Sequence, residues 1–434
     1  MHPQRRAPRA RLLPVLLLTS VLACGRAPGE GEEGAVRITF SGSAVGQEGE
    51  LLRAQLAAFM RENPDVVVEL QSTPDAADQR HQLYVQWLNA HVGEPDVLQL
   101  DVIWTAEFAA AGWIRPLDAF SPETEAFFPA AIEASRWRDS LYAMPWFVDV
   151  GLLYWRTDLL DAPPATYAEL ASRAREGMRR GGVPYGFVWQ GARYEGLVTV
   201  FVEHLHAFGG SILDAGGAVR VDGEAAVRAL EFMRDALGAG GITPADALAW
   251  QEEQTRFAFQ NGEAVMMRNW PYAAALLAGS GSRVADRFSV APLPAGPGGA
   301  RASALGGQQL AINAHSDEPD AAWRLIAFLT SREQMLARAS AAGHYPARTA
   351  PYEETDLAAA LAVDPRDARA AIEQAVPRPV TPLYTEISRV LQVALHRALT
   401  GQAEPSVALR DAAREMRSVL ARLAPPGGNG APRP

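Results

Sequence analysis

The chain has 434 residues, long for one core and comfortable for two. A formal net charge of -10 and a pI near 5.4 argue against nucleic acid as a partner. The 40 basic residues are all arginine, so no phosphate loop built around a lysine is possible.

The first segment is a targeting signal. "MHPQRRAPRAR" is basic, and "LLPVLLLTSVLA" is apolar but too short to span a bilayer. It ends at "VLAC", where Cys24 is the only cysteine in the chain. Small or apolar residues directly before a cysteine resemble a bacterial lipobox. Residues 1–23 are therefore expected to be removed and Cys24 to carry lipid; a plain secretory signal with a chance cysteine is the alternative. One cysteine cannot close an internal disulfide, so the fold must rest on its core. Residues 24–34 read as a flexible tether.

"VRITFSG" (36–42) predicts a strand, and Leu52, Leu56, Phe59 and Met60 then recur at helical spacing until Pro64. "VVVEL" (66–70) and "PDVLQLD" (95–101) predict two more strands around a helix over 76–91. Strands alternating with helices predict a mostly parallel sheet, with ligands beyond the carboxyl ends of its strands. A second region begins near residue 142. Its predicted helices cover 166–180, 195–208, 223–240 and 250–261, with "YGFVW" and "AVMMR" as strands. Residues 288–303 read as a Pro/Gly-rich connection. "SALGGQQLAIN" (303–313) then puts a glycine-bearing polar elbow at the head of an apolar strand, either a β-bulge or a crossing between two lobes. Residues 353–421 read as helical and 425–434 as a disordered tail.

Enzyme signatures are mostly absent. The glycine runs at 279–282 and 295–300 do not sit between a strand and a helix, and Ser43 lacks the nucleophile-elbow pattern. His204 and His206 are two apart, so on a helix they diverge and no metal site follows. Glu48, Asp101 and Asp149 close apolar segments beside aromatic residues. Helix capping explains the first two, and a solvated loop the third, as readily as a ligand does. Carboxylates and arginines together suit the adjacent hydroxyls of a sugar, whose C–H faces lie against aromatic rings. Trp104, Trp146, Phe147, Trp189 and Trp270 are the available rings.

Six stretches carry a resemblance across nearly the whole exported chain: "EPDVLQLDVIWTAEFAAAGWIRPLD" (94–118), "PWFVDVGLLYWRTDLL" (145–160), "YGFVWQGARYEGL" (185–197), "FQNGEAVMMRNWPY" (259–272), "LGGQQLAIN" (305–313) and "VPRPVTPLYTEIS" (376–388). In this order they resemble the extracellular solute-binding proteins (family 1) of carbohydrate ABC importers, the trehalose/maltose-binding type. The resemblance implies an α/β, two-lobed periplasmic-binding-protein fold (type II), with the ligand in a cleft between lobes joined by hinge crossings. It divides the chain into an N-terminal lobe of 35–147 plus 308–345 and a C-terminal lobe of 148–307 plus 346–424.

Residue by residue, the resemblance puts Glu48 in the loop after the first strand and makes Arg80 and Asp101 N-lobe ligands. Asp149 becomes the carboxylate at the first crossing, and Trp270 the C-lobe stacking platform. Gly307 and Gln308 form the elbow whose backbone faces the sugar, and Arg378 reaches in from the tail. Relatives often carry tyrosine where Phe147 stands and tryptophan where Gln308 stands, which bears on the sugar chosen. The implied protein is a monomer without cofactor, metal or catalysis. It hands a di- or oligosaccharide to the transmembrane subunits of an ABC permease. Its lipid anchor holds it at the outer face of the cytoplasmic membrane or in the periplasm. An exported glycoside hydrolase using the same carboxylates is the alternative, and a binder of a phosphorylated or peptidic solute a third reading.

Overall fold

The computed structural model describes residues 34–423, apart from 44–45 and 75–76. The targeting signal, Cys24, the tether up to residue 33 and the tail from residue 424 lie outside the described residues. The chain first lays down β1 (Val36–Ser43), α1 (Gly46–Glu62), β2 (Val66–Thr73), α2 (Ala77–Asn89) and β3 (Val97–Asp101). Next come α3 (Thr105–Ala110), α4 (Pro129–Ala134) and a small hairpin of β4 (Arg136–Trp137) and β5 (Ser140–Leu141). β6 (Met144–Val150) and β7 (Leu152–Arg156) then carry the chain onward. The following region holds α5 (Tyr167–Gly181), β8 (Tyr185–Val188), α6 (Glu195–Ala207), α7 (Glu224–Leu237), α8 (Glu252–Gln260), β9 (Ala264–Asn269), α9 (Ala273–Leu277) and β10 (Phe288–Pro292). β11 (Leu305–Ile312) leads to α10 (Pro319–Leu329), α11 (Arg332–Ala342) and β12 (Tyr345–Pro346). Four helices finish the chain: α12 (Thr355–Ala360), α13 (Pro365–Glu373), α14 (Tyr384–Leu399) and α15 (Pro405–Leu420).

Local chemistry sets several of these ends. The Thr166 hydroxyl accepts the Glu169 N–H at 3.2 Å to open α5, and Gly182, at φ 60°, closes it. Asp364 caps α13 through the Arg366 N–H, with Pro365 at the first helical position.

Two main sheets result, ordered β12-β6-β11-β3-β1-β2 and β10-β7-β9-β8. The larger sheet is mixed, not mostly parallel. β1 runs parallel to β2 and β3, whereas β11 and β6 run antiparallel to their neighbours. β11 enters this sheet from the side of the smaller one, so it runs back against β3. Period-2 alternation then divides the core. Val97, Leu310 and Ile312 join one apolar cluster, and Leu98, Leu100 and Ala311 join another on the opposite face. β7 alternates likewise, with Leu152 and Tyr154 in the first cluster and Leu153 and Trp155 in a cluster shared with α5–α7, α14 and α15.

The expected connection over 288–303 begins with a strand, because β10 pairs with β7 from Phe288↔Arg156 to Pro292↔Leu152. The helical tail is interrupted over 374–383, where Pro377, Pro379 and Pro382 withhold backbone donors. Gly151 alone separates β6 from β7, and a Cβ there would come within 1.9 Å of the Glu203 carboxylate. Ala304 bridges to Val376 beside it, so three chain segments pass this point together.

Candidate functional site

Glu48 stands in the first turn of α1, not in the loop after β1, because the helix already begins at Gly46. An acidic group there is favoured by the helix dipole. Its carboxylate receives His344 Nε2 at 2.9 Å, while His344 Nδ1 faces an Arg338 guanidinium nitrogen at 3.2 Å. Burial alone would raise the Glu48 pKa, but His344, Arg338 and Arg80 outweigh it and hold the group at about 2. Phe147 is buried and stacks flat under the His344 ring at 4.0 Å and 4°. Arg338 lies 3.9 Å over the Trp146 ring. Phe147 thus supports the histidine that orients Glu48.

Arg80 on α2 is buried. It donates to the Gln308 carboxamide oxygen at 3.2 Å and to the Pro74 carbonyl at 3.1 Å, and sits 5.4 Å from the Trp104 ring. Gln99 also donates to that Gln308 oxygen, at 3.2 Å, and its own oxygen accepts the Ser43 N–H at 2.8 Å. The end of β1, the middle of β3 and the elbow in β11 are therefore one polar network. Asp101 ends β3 directly across the ladder from Gln308.

The elbow is a β-bulge and a crossing at once. The register against β6 slips between Gln308 and Gln309. Gly307 has φ 120°, and a Cβ there would lie 2.3 Å from the Phe147 carbonyl oxygen. The glycine is required by close approach of the neighbouring strand. Gly306 is packed closely as well, since a Cβ there would meet the Trp270 ring at 3.2 Å and Asp149 Cβ at 3.3 Å. Trp270 and Asp149 thus meet over the Gly306 backbone of the crossing strand.

Asp149 is half-buried, but its Oδ1 is sealed from solvent and has no hydrogen-bond partner among the described residues. Burial first, then the nearby negative charges of Glu48 and Asp101, pushes its pKa up to about 7, with Arg268 and Arg338 opposing. Trp270 is half-buried. Arg268 covers one face of its ring at 3.8 Å, and its indole N–H points to Glu252 at 3.5 Å. Arg268 is in turn paired with buried Glu203 through a 2.9 Å bond.

Arg378 is not a free donor reaching into the site. It is buried, donates to Glu195 at 2.7 Å and to the Leu305 carbonyl at 3.4 Å, and lies 3.6 Å from Asp101. It ties the tail, α6 and β3 together. Thr385 on α14 donates to Glu107 on α3 at 2.6 Å near a cavity of about 170 Å³ lined by Asp78, Trp104, Glu195 and Arg389.

The structure thus brings Glu48 and Asp101 close enough to act on Asp149, with Trp270 packed beside Asp149 on Gly306. Trp104, Trp146 and Trp189 are buried in the cores. Sequence reasoning missed His344, Arg338, Gln99 and Glu195. Two glutamates in the mostly apolar helix 195–207 were a readable signal of buried partners. "AGHYPAR" carries no such signal for His344. His204 is a core histidine whose Nδ1 faces the Val200 carbonyl at 2.8 Å.

Residues 43–336 match the family model described as bacterial extracellular solute-binding protein. A probable ABC transporter-binding protein of Deinococcus radiodurans is 35% identical over 389 residues, covering 87% of this chain and 92% of that one. Maltose-bound MalE3 of T. maritima superposes with a TM-score of 0.85 and 44% identity, covering 89% of this chain and 100% of that one. The GacH receptor of Streptomyces glaucescens, solved unliganded and with acarbose, gives 0.80 and 26%, covering 89% and 99%. These structures share the two-lobed periplasmic-binding-protein architecture seen here. With the family model matching well over half of its length, the chain belongs to the bacterial extracellular solute-binding proteins.

Proposed function

We propose that this chain captures a di- or oligosaccharide of the trehalose/maltose type outside the cytoplasm and delivers it to the transmembrane subunits of an ABC import permease, without catalysis. The observation that carries this reading is the pairing of Asp149 and Trp270 over Gly306. A half-buried carboxyl with one oxygen lacking a protein partner, beside a half-buried indole ring, supports a sugar hydroxyl and the C–H face next to it as the ligand groups once the site opens. Glu48, Arg80, Asp101 and Gln308 supply further polar groups from the N-terminal side. Gly307 shapes the crossing, Phe147 backs His344, and Arg378 holds Asp101. The likeness to proteins solved with maltose and acarbose supports the substrate class.

The lobes of this reading are 35–147 with 308–345, and 148–307 with 346–424; β6 and β11 straddle the boundaries. Ligand shifts them toward closure. An extracellular family implies export, and no helix among the described residues is long and apolar enough to cross a membrane. Lipid on Cys24 would hold the monomeric protein at the membrane.

The test is a thermal-shift screen of the pure protein over trehalose, maltose, sucrose and longer glucosides, with a parallel assay for released glucose. A ligand that binds only the native state raises its stability by mass action. A shift without glucose release is expected. Glucose release that is lost in Asp101→Asn or Asp149→Asn would move the protein to the glycoside hydrolases. No shift with any sugar would remove the carbohydrate assignment.

A further inference from the structure

A second feature lies past the strand ends of the larger sheet, where β11 finishes beside the start of β3. α2 ends at Asn89, and His91 follows with φ 52°, its N–H bonded to the Leu88 carbonyl at 3.1 Å. β11 ends at Ile312, and His315 follows three residues later. Both histidines are exposed, and His91 Nδ1 lies 2.8 Å from His315 Nε2 with the rings at 81°.

The two loops are locked together beneath the rings. Asn313 is fully buried and donates to the carbonyls of Val92, Gly93 and Pro95 at 3.0, 3.1 and 3.0 Å. Its side-chain oxygen accepts the His315 N–H at 3.0 Å. Gly93 packs so close that a Cβ would meet the His315 carbonyl oxygen at 2.8 Å. The pair is therefore held in place by buried backbone, which keeps the ordering cost of a chelate low.

We propose that His91 and His315 form a surface chelate for a transition-metal dication of tetragonal preference, Cu²⁺ foremost and Ni²⁺ next. Imidazole suits these ions, whereas Ca²⁺ and Mg²⁺ want oxygen ligands. Metal–nitrogen bonds of about 2.0–2.1 Å put two ligands at about 2.9 Å when they are cis at 90°, and at about 3.3 Å at the tetrahedral angle. The separation of 2.8 Å fits the 90° arrangement. A small rotation of each ring turns the two nitrogens toward one ion. When both rings are neutral, the proton between the two nitrogens moves to the other nitrogen of its donor ring, so the chelate forms without net proton release. Among the described residues no third histidine, cysteine or carboxylate completes a cluster, so water fills the other positions. The pair sits where Ile312 faces Val97 at the start of β3, and Asp101 lies at that strand's other end. The metal is thus held away from the sugar site.

The probes are NiCl₂ by titration calorimetry and CuCl₂ by electron paramagnetic resonance, on the full chain and on His91→Asn, His315→Ala and the double variant. Asparagine tolerates the left-handed backbone at position 91. Each single variant should weaken Ni²⁺ binding at the site at least tenfold, and the double variant no more than the worse single, because losing either arm destroys the chelate. Two-nitrogen hyperfine structure should appear for Cu²⁺ in the parent and vanish in the variants. Melting temperatures and maltose affinity should be unchanged. Ni²⁺ affinity within twofold of the parent in the double variant, or losses that add independently, would overturn the assignment and leave the pair as a hydrogen bond between loops.

Discussion

Asp149 offers the sharpest test, because its carboxyl must serve two opposed conditions. In the free protein its pKa is pushed up to about 7, first by burial and then by Glu48 and Asp101. Sugar hydroxyls donate to the ionised form and favour it. Affinity should therefore rise as pH rises through 7 and fall below it. With a pKa near 7, the ionised fraction grows about tenfold between pH 6 and pH 8, which corresponds to about 1.4 kcal/mol of binding. Glu48, held at about 2, stays ionised throughout.

Stability runs the other way. A carboxyl whose folded pKa is raised contributes most below its unfolded value, and that contribution is lost as pH climbs through 7. The ligand-free protein should thus become easier to unfold over the range in which it binds better. Asp149→Asn cannot ionise, so it should remove the pH dependence of affinity, lessen the fall of urea stability with pH to the part that buried Glu195, Glu203 and Glu252 still supply, and bind more weakly than the parent at pH 8. Calorimetry with maltose at pH 6, 7 and 8, beside urea melts of both proteins, measures each arm. Parent affinity that is flat from pH 6 to 8, or a pH dependence of affinity that survives in Asp149→Asn, would refute the reasoning.

Trp270→Ala should weaken sugar binding by about 1–3 kcal/mol, the scale of losing a large apolar face, while leaving the fold intact; unchanged affinity in a folded variant would make Trp270 a packing residue only. Gly307→Ala forces a side chain into a φ of 120° and against the Phe147 carbonyl. It should cost more than about 2 kcal/mol in urea unfolding, and a loss under half a kcal/mol would show that the bulge is not constrained. Cys24→Ala should release the expressed protein from membranes into the soluble fraction, and a variant that still pellets with membranes would end the lipoprotein reading.

The alternation of strands and helices over 36–101 was legible from spacing alone, because period 2 and period 3.6 are local properties of the chain. So was the need for glycine in "LGGQQ", although not its cause. Gly307 answers to the Phe147 carbonyl 160 residues earlier, a contact that exists only after β6 and β11 pair. The residue types of the proposed site were readable as well: Glu48, Asp101, Asp149 and Trp270 stand at the ends of apolar runs. Their states were not. Only packing decides that Glu48 is paired with His344 and held ionised, that Asp149 keeps one oxygen sealed without a partner, and that Arg378 is paired with Glu195. A carboxylate's protonation and a guanidinium's availability depend on charges and dielectric within a few ångströms. Those neighbours come from segments 183 and 296 residues apart in sequence, so only the assembled sheets could set them.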